Sequence, residues 1–191
     1  MNLFIRYTIL FSSLLLVVVA NPLDKKTDGV TTIDQLLPST RELFSCTLWY
    51  FFEGDPADLL AQTKKPPCSI SATFPLELSG NWSIDPGCDP LKQPNTCDYH
   101  KGAQGCYRHA FSSTGPGAQA CYDSSGQWIS DPWLGAGTVD KETPIGDFVQ
   151  QAEHALVDVA PYLNCCKTKF SPQPFTCNLY YEKRPPGQCQ P

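Results

Sequence analysis

Ten cysteines, none of them before residue 46, constrain this chain of 191 residues more than any other feature. Their role depends on the compartment, because thiols pair in an oxidising environment and stay free for metals or catalysis in a reducing one. The N-terminus points to export. Arg6 is followed by an apolar run from Tyr7 to Val19, and the small residues Val18 and Ala20 hold the −3 and −1 places of a cleavage before Asn21. Residues 1–20 therefore read as a secretory signal peptide. That run is too short for a spanning helix and no second one follows, so the rest of the chain is expected to be secreted, extracellular and without a membrane span. In that setting Cys46, Cys68, Cys88, Cys97, Cys106, Cys121, Cys165, Cys166, Cys177 and Cys189 fit five disulfides with no thiol left over. The connectivity stays open among hundreds of pairings. One local constraint applies: a ring closed between adjacent Cys165 and Cys166 is strained, so the two reach different partners.

Without residues 1–20 the chain suffices for one domain but not for two generous cores. The formal net charge is −5 and no Lys/Arg stripe is present. Nucleic acid and anionic membrane surfaces both demand clustered positive charge, so neither is an expected partner.

Residues 21–45 are polar, carry Lys25 and Lys26, and read as a flexible leader, with 46–67 as an N-terminal extension packed on the domain. Ser39 and Glu42 have capping-box spacing ahead of an apolar run that includes Trp49, Tyr50, Phe51 and Phe52. The cap favours helix, the aromatics favour strand, and periodicity does not decide over so few residues. Asp55-Pro56 followed by Asp58 predicts a short helix over 56–63, ended by Pro66 and Pro67. Between 68 and 133 the sequence is rich in Gly, Pro, Asn, Asp and Ser, which predicts turns and short strands near 69–74, 106–111 and 127–130. Phe148, Ala152, Ala155, Leu156, Val159 and Leu163 recur at steps of three and four. They predict an amphipathic helix over 144–160, with Thr143 and Pro144 as start signals and Pro161 near its stop. A further strand is expected over 176–181. The expected fold class is α+β: a small disulfide-rich extracellular domain with short strands and one principal helix.

Several short motifs then occur in a fixed order: Asp85-Pro-Gly-Cys88, Cys97-Asp-Tyr-His100-Lys-Gly-Ala103, Cys106-Tyr-Arg108, Gly117-Ala-Gln-Ala-Cys121-Tyr-Asp, Gly135-Ala-Gly-Thr-Val-Asp140, His154 through Asp158-Val159 to Cys165-Cys166, and Tyr181-Glu-Lys-Arg184-Pro-Pro with Cys189. Taken together they resemble the AMOP domain over 68–191. This is the adhesion-associated extracellular module of a membrane mucin, isthmins and sushi-domain surface proteins. The resemblance implies an ordered extracellular surface for cell or matrix adhesion, with no established catalytic chemistry. Two departures stand out: Ala120-Cys121 in place of a double cysteine, and a lone Cys68 in place of a Cys-x-Cys. They leave the bridging of the N-terminal part open. The chain also lacks an Arg-Gly-Asp tripeptide, so the resemblance specifies no integrin.

The residues offer little chemistry of their own. His154 and Asp158, four apart on one helix face, read as a structural pair, since two groups complete neither a metal site nor an acid/base site. His100 and His109 lack metal-motif spacing, and a zinc site would require them to converge with His154 in space. No nucleophile elbow is present, and the even cysteine count argues against a free thiol. Asp85, Asp123, Asp140 and Asp147 read as turn and cap residues, while a pair of them facing across a cleft would be hydrolase-like. Asp85-Pro86-Gly87 and Gly135-Ala136-Gly137 are backbone devices in which glycine admits positive φ. Asn81-Trp82-Ser83 is a glycosylation sequon in an exported chain, so Asn81 is a candidate for modification. Trp49, Trp82 and Trp128 read as core residues, whereas Trp133, between turn signals, is a candidate binding anchor.

Three functions are thus in view. The leading one is a secreted non-enzymatic binding protein that needs no cofactor and whose partner is a protein or glycan at the cell surface or in the matrix. The others are a secreted hydrolase with a histidine/carboxylate or zinc site, and a small secreted inhibitor presenting residues 112–119 as a braced loop.

Overall fold

Four Asp-Pro dipeptides set much of the local geometry. Asp55, Asp85, Asp89 and Asp131 each precede a proline, and each carboxylate accepts the N–H two residues on. Proline at the first helical position has no N–H to satisfy and its φ is preset. Each dipeptide therefore opens a short helix: α2 (Pro56–Gln62) and the 3-10 turns Pro86–Cys88, Pro90–Lys92 and Pro132–Leu134. The computed structural model describes residues 40–109, 115–167 and 174–191. The expected signal peptide, the expected leader up to residue 39 and the Ser39 half of the capping-box pair lie outside the described residues.

The aromatic run after Ser39 is helical: α1 spans Thr40–Phe52. The boundary drawn between leader and extension at 45/46 therefore falls inside a helix. Cys46 and Trp49 sit three apart on its inner face, where Cys46 bridges to Cys165 and Trp49 stacks on Tyr180 with ring centroids 5.6 Å apart.

Five strands form an antiparallel sheet in sequence order: β1 (Glu77–Leu78), β2 (Trp82–Ile84), β3 (Gly105–His109), β4 (Gly117–Tyr122) and β5 (Val139–Asp140). Strand β4 is buried along its whole length, so it shows no alternation by which a sequence could announce it. Its register with β3 sets Cys106 opposite Cys121, and the two are bridged. The expected strand at 69–74 is instead a single bridge at Ser69 followed by a turn. There Phe74 N–H bonds Ser71 O, while the Ser71 and Thr73 hydroxyls bond each other, drawing the backbone from the ladder. Residues 127–130 likewise contribute only bridges, at Gln127 and Trp128. Phe74, Trp82, Tyr107, Tyr122 and Val139 fill the core with Ala118 and Ala120 between them. The two tyrosine hydroxyls donate to Pro75 O and Pro67 O.

The expected helix over 144–160 runs instead from Phe148 to Cys166, as α3 (Phe148–His154), a π-helical turn (Ala155–Val159) and α4 (Ala160–Cys166). It starts later because Asp147 caps it, accepting from the N–H groups of Val149 and Gln150. It does not stop at Pro161. The π turn bonds Ala160 N–H to Ala155 O, and proline's missing N–H frees Val157 O, which accepts instead from Arg184 Nη2 at 3.1 Å. The burial is also inverted. Phe148 and Leu156 are 83% and 71% exposed, whereas Gln150, His154, Asp158, Pro161 and Cys165 are buried.

A last helix, α5 (Pro174–Lys183), stands where a strand was expected at 176–181. Thr176, Cys177, Tyr180 and Arg184 are buried at helical spacing, and the Cys166–Cys177 bridge ties the helix to α4. Helices α1, α4 and α5 pack on one another. The remaining bridges are Cys68–Cys189 and Cys88–Cys97. Adjacent Cys165 and Cys166 thus reach two different helices.

Candidate functional site

A cavity of about 200 Å³ lies among residues of the sheet and of the helices. Its floor is built by β3, β4 and β5, which supply Arg108, Gln119 and Asp140, and by the 3-10 turn that Asp85 caps. The inverted helix supplies His154 and Asp158. Gly137 makes this layering possible: its α-carbon packs so closely on β4 that an added Cβ would lie 2.0 Å from Gln119 O.

Two arginines organise the carboxylates. Arg108 donates from Nε to Asp85 at 2.7 Å and from Nη1 to Asp140 at 2.6 Å. Arg184, fully buried, donates from Nε to Asp158 at 2.6 Å, approaches Glu53 at 3.5 Å and lies over the Trp49 ring. Asp158 also clamps a backbone turn, its two oxygens accepting from the N–H groups of Lys141 and Glu142. His154 Nδ1 lies 2.8 Å from Glu142 O and 3.2 Å from Asp158. Gln119 Nε2 donates to Asp85, and Thr138 Oγ1 donates to Asp140.

The protonation of the floor follows from this wiring. Burial opposes charging His154, but the Asp158 hydrogen bond and the Asp140 charge outweigh it and raise its pKa. Burial acts against ionised Asp158 as well, yet His154 and Arg184 hold its pKa below the usual carboxylate range. Asp140 is pushed up by burial and by the Asp158 charge, against Arg108. His100, whose Nδ1 lies 2.8 Å from Ala136 O, is driven down to about 4 by burial. The cavity lining thus brings Asp85, Asp140 and Asp158 against Arg108 and His154, with Arg184 paired to Asp158 behind it.

Ligating atoms of Asp140, His154 and Asp158 lie within 4.8 Å of one another, the spacing of a cation site. Their wiring fits a cation poorly. Arg108 and Arg184 occupy the carboxylate oxygens at 2.6 Å, and His154 Nδ1 faces acceptors through its own proton. The guanidinium groups hold the places that a metal ion would take.

The three histidines separate into two groups. His100 and His154 line the cavity, whereas His109 packs edge-on against Trp82 with centroids 5.2 Å apart. Asp85, Asp140 and Asp158 do share one cleft, but each is tied to a guanidinium; Asp123 closes a turn and Asp147 caps α3. Gly87 lies in a 3-10 turn without positive φ, while Gly135 does adopt φ +94°. Trp82 is buried, and Trp49 and Trp128 are half-buried against the core clusters. Of the proposed inhibitor loop, residues 117–119 belong to buried β4, and 112–114 lie outside the described residues.

Above the floor, Tyr99, Tyr162 and Tyr181 form the cavity mouth and also line a shallower groove of about 460 Å³. Trp133 stands at that groove, 45% exposed, packed edge-on against Tyr181 and donating from Nε1 to Asn178. Lys167 lies 4.3 Å over the Tyr99 ring. Asn81 is exposed at φ +67° in the turn between β1 and β2. Arg108 and Arg184 carry no recognisable signal beyond their place in the family-like motifs, because what marks them is burial.

A small α+β fold with five disulfides around a charged cavity defines a class of cross-linked extracellular domains. The sequence model of the AMOP domain matches residues 41–191, and the chain belongs to this family of extracellular, adhesion-associated domains. The matched span also takes in residues 46–67, which sequence reading set apart as an N-terminal extension. The chain is also similar to Sushi domain-containing protein 2 of Homo sapiens, 30% identical over 155 residues. That match covers 76% of this chain and 18% of the relative, so the chain spans less than a fifth of that protein's length. No solved structure matches. Among the described residues no helix is long and apolar enough to cross a membrane.

Proposed function

We propose that this chain is a secreted, non-enzymatic adhesion module whose binding face is the tyrosine-lined cleft flanked by Trp133. One observation carries the reading: the ionisable groups of the floor are spent on one another. An acid, base or nucleophile must be able to change partners during a turnover, and the Asp85, Asp140 and Asp158 carboxylates each hold a guanidinium at 2.6 or 2.7 Å. The mouth has the opposite character, since aromatic side chains half-open to solvent anchor many binding surfaces. Export and glycosylation at Asn81 belong to the same proposal. Support comes from the N-terminal apolar run, the five disulfides and the exposed sequon turn.

The test is attachment of cells or matrix to surfaces coated with the oxidised, exported chain. Retention is expected, reduced about tenfold by Trp133→Ala with thermal melting unchanged. Equal retention by the folded variant would move the binding face elsewhere. Stoichiometric metal in the purified protein, or hydrolysis of any model ester or glycoside, would overturn the non-enzymatic assignment.

A further inference from the structure

At the rim of the cavity, four tyrosines meet almost at right angles. Tyr99 and Tyr162 lie 5.4 Å apart at 66°, Tyr162 and Tyr180 5.3 Å apart at 74°, and Tyr180 and Tyr181 5.7 Å apart at 72°. All four line the cavity. The face of such a ring carries the negative part of its quadrupole, so it attracts cations and repels anions. The chain already seats a cation there: Lys167 Nζ lies 4.3 Å from the Tyr99 centroid and 6.0 Å from that of Tyr162.

Lys167 is replaceable. Its side chain is exposed, and no carboxylate pairs with its ammonium among the described residues. It directly follows the last turn of α4, whose open carbonyls also favour a cation, so the side chain has a second place to rest. Charge at the site favours the same sign. In the outer groove Asp98 and Lys101 offset each other, which leaves Lys167 as the surplus charge. Beneath the rings the lining brings three carboxylates against Arg108 and His154, so an approaching anion would meet carboxylates as well as ring faces.

We propose that the corner between Tyr99 and Tyr162 receives a lysine or arginine side chain of a partner protein in exchange for Lys167, with the aliphatic stem of that side chain along the groove beside Trp133. Lys167 is then a resident cation that holds the site until a partner displaces it. The proposal rests on the adhesive reading of the cleft and names the chemistry of its partner.

The experiment titrates the exported, oxidised full chain with millimolar Gly-Ser peptides that carry a single lysine, arginine, leucine or glutamate, followed by tyrosine and tryptophan fluorescence. The lysine and arginine peptides are expected to bind and the other two are not. Lys167→Met should tighten that binding about two- to fivefold, because the internal competitor is gone. Tyr99→Leu should weaken it by a similar factor, while Tyr99→Phe keeps the ring and should keep the binding. These positions lie at the exposed rim, and the melting temperatures of the variants are expected to match the parent's. Equal or stronger binding of the leucine or glutamate peptide overturns the proposal. So does a Lys167→Met variant that binds no better than the parent, or a Tyr99→Phe variant that loses binding as Tyr99→Leu does. Attachment to cells or matrix in the presence of the tighter-binding basic peptide separates this proposal from the adhesive reading. Attachment blocked by the peptide supports the basic side chain, attachment unaffected removes it but keeps adhesion, and no attachment with or without the peptide removes both.

Discussion

Arg184 shows how much one buried side chain can organise. Its guanidinium pairs with Asp158 and Glu53, fills the Val157 carbonyl that Pro161 leaves open, and lies over Trp49. Removing one member of such a set strands the others in low dielectric, at about 3–5 kcal/mol. Arg184→Met should therefore lower the urea midpoint sharply, and Arg184→Lys should recover little, because a single ammonium nitrogen cannot reach acceptors spread over the Nε and Nη2 positions of the guanidinium fork. Full recovery by lysine would show that charge alone suffices. Gly137 is constrained by space rather than charge. With a Cβ only 2.0 Å from Gln119 O, Gly137→Ala must push β4 away from its neighbour. The expected cost is about 1–3 kcal/mol in chemical denaturation, and a neutral result would mean that the strand yields freely.

At the scale of elements, the long helix is the instructive case. Its period was legible, because apolar residues at steps of three and four specify a helix whichever face is buried. Its orientation was not. The face carrying Gln150, His154 and Asp158 turns inward because Arg184, the Glu142 side chain and the Lys141–Glu142 backbone turn are there to satisfy it, and those partners come from other segments. Leu156→Gln on the exposed stripe should change stability by no more than about 0.5 kcal/mol, whereas Asp158→Asn should cost several times that. The reverse order in urea titrations would mean that the stripe is buried. Helix α5 was misread for a related reason. Thr176, Tyr180 and Tyr181 have strand-like propensity, but the spacing of Cys177, Tyr180 and Arg184 and the bridge to α4 override it. Strand β4 escaped because a fully buried Gly-Ala-Gln-Ala run shows no period.

For the whole molecule, disulfides and buried charge set the conditions of stability. Opening the 119-residue separation of Cys46–Cys165 with paired serine substitutions should cost about 5 kcal/mol, against about 3 for the 9-residue separation of Cys88–Cys97. Melting temperatures of the two double variants check that order. The histidines define a pH window. The raised pKa of His154 gives a contribution complete below its ordinary 6.5 and lost as pH rises through the raised value. The depressed pKa of His100 gives one complete above 6.5 and lost as pH falls toward about 4. The lowered pKa values of Asp158 and Glu53 add to the acid loss below the ordinary carboxylate range. Denaturant midpoints should peak near pH 6.5, with His154→Gln flattening the alkaline limb and His100→Gln the acid limb. An alkaline limb unchanged in His154→Gln would remove that histidine from the account.

The amino-acid order by itself determined the cross-linked α+β class, the family motifs, the Asp55-Pro56 helix start and the existence of the long helix. Each depends on local spacing or on residue chemistry that acts over a few positions. Tertiary structure alone decided which cysteines pair, which face of the helix turns inward, and that Arg108 and Arg184 neutralise the carboxylates beneath the cavity. Those outcomes depend on desolvation, and a group's exposure to water is set by residues far away in sequence, as the fully buried Cys46–Cys165 bridge with its separation of 119 shows.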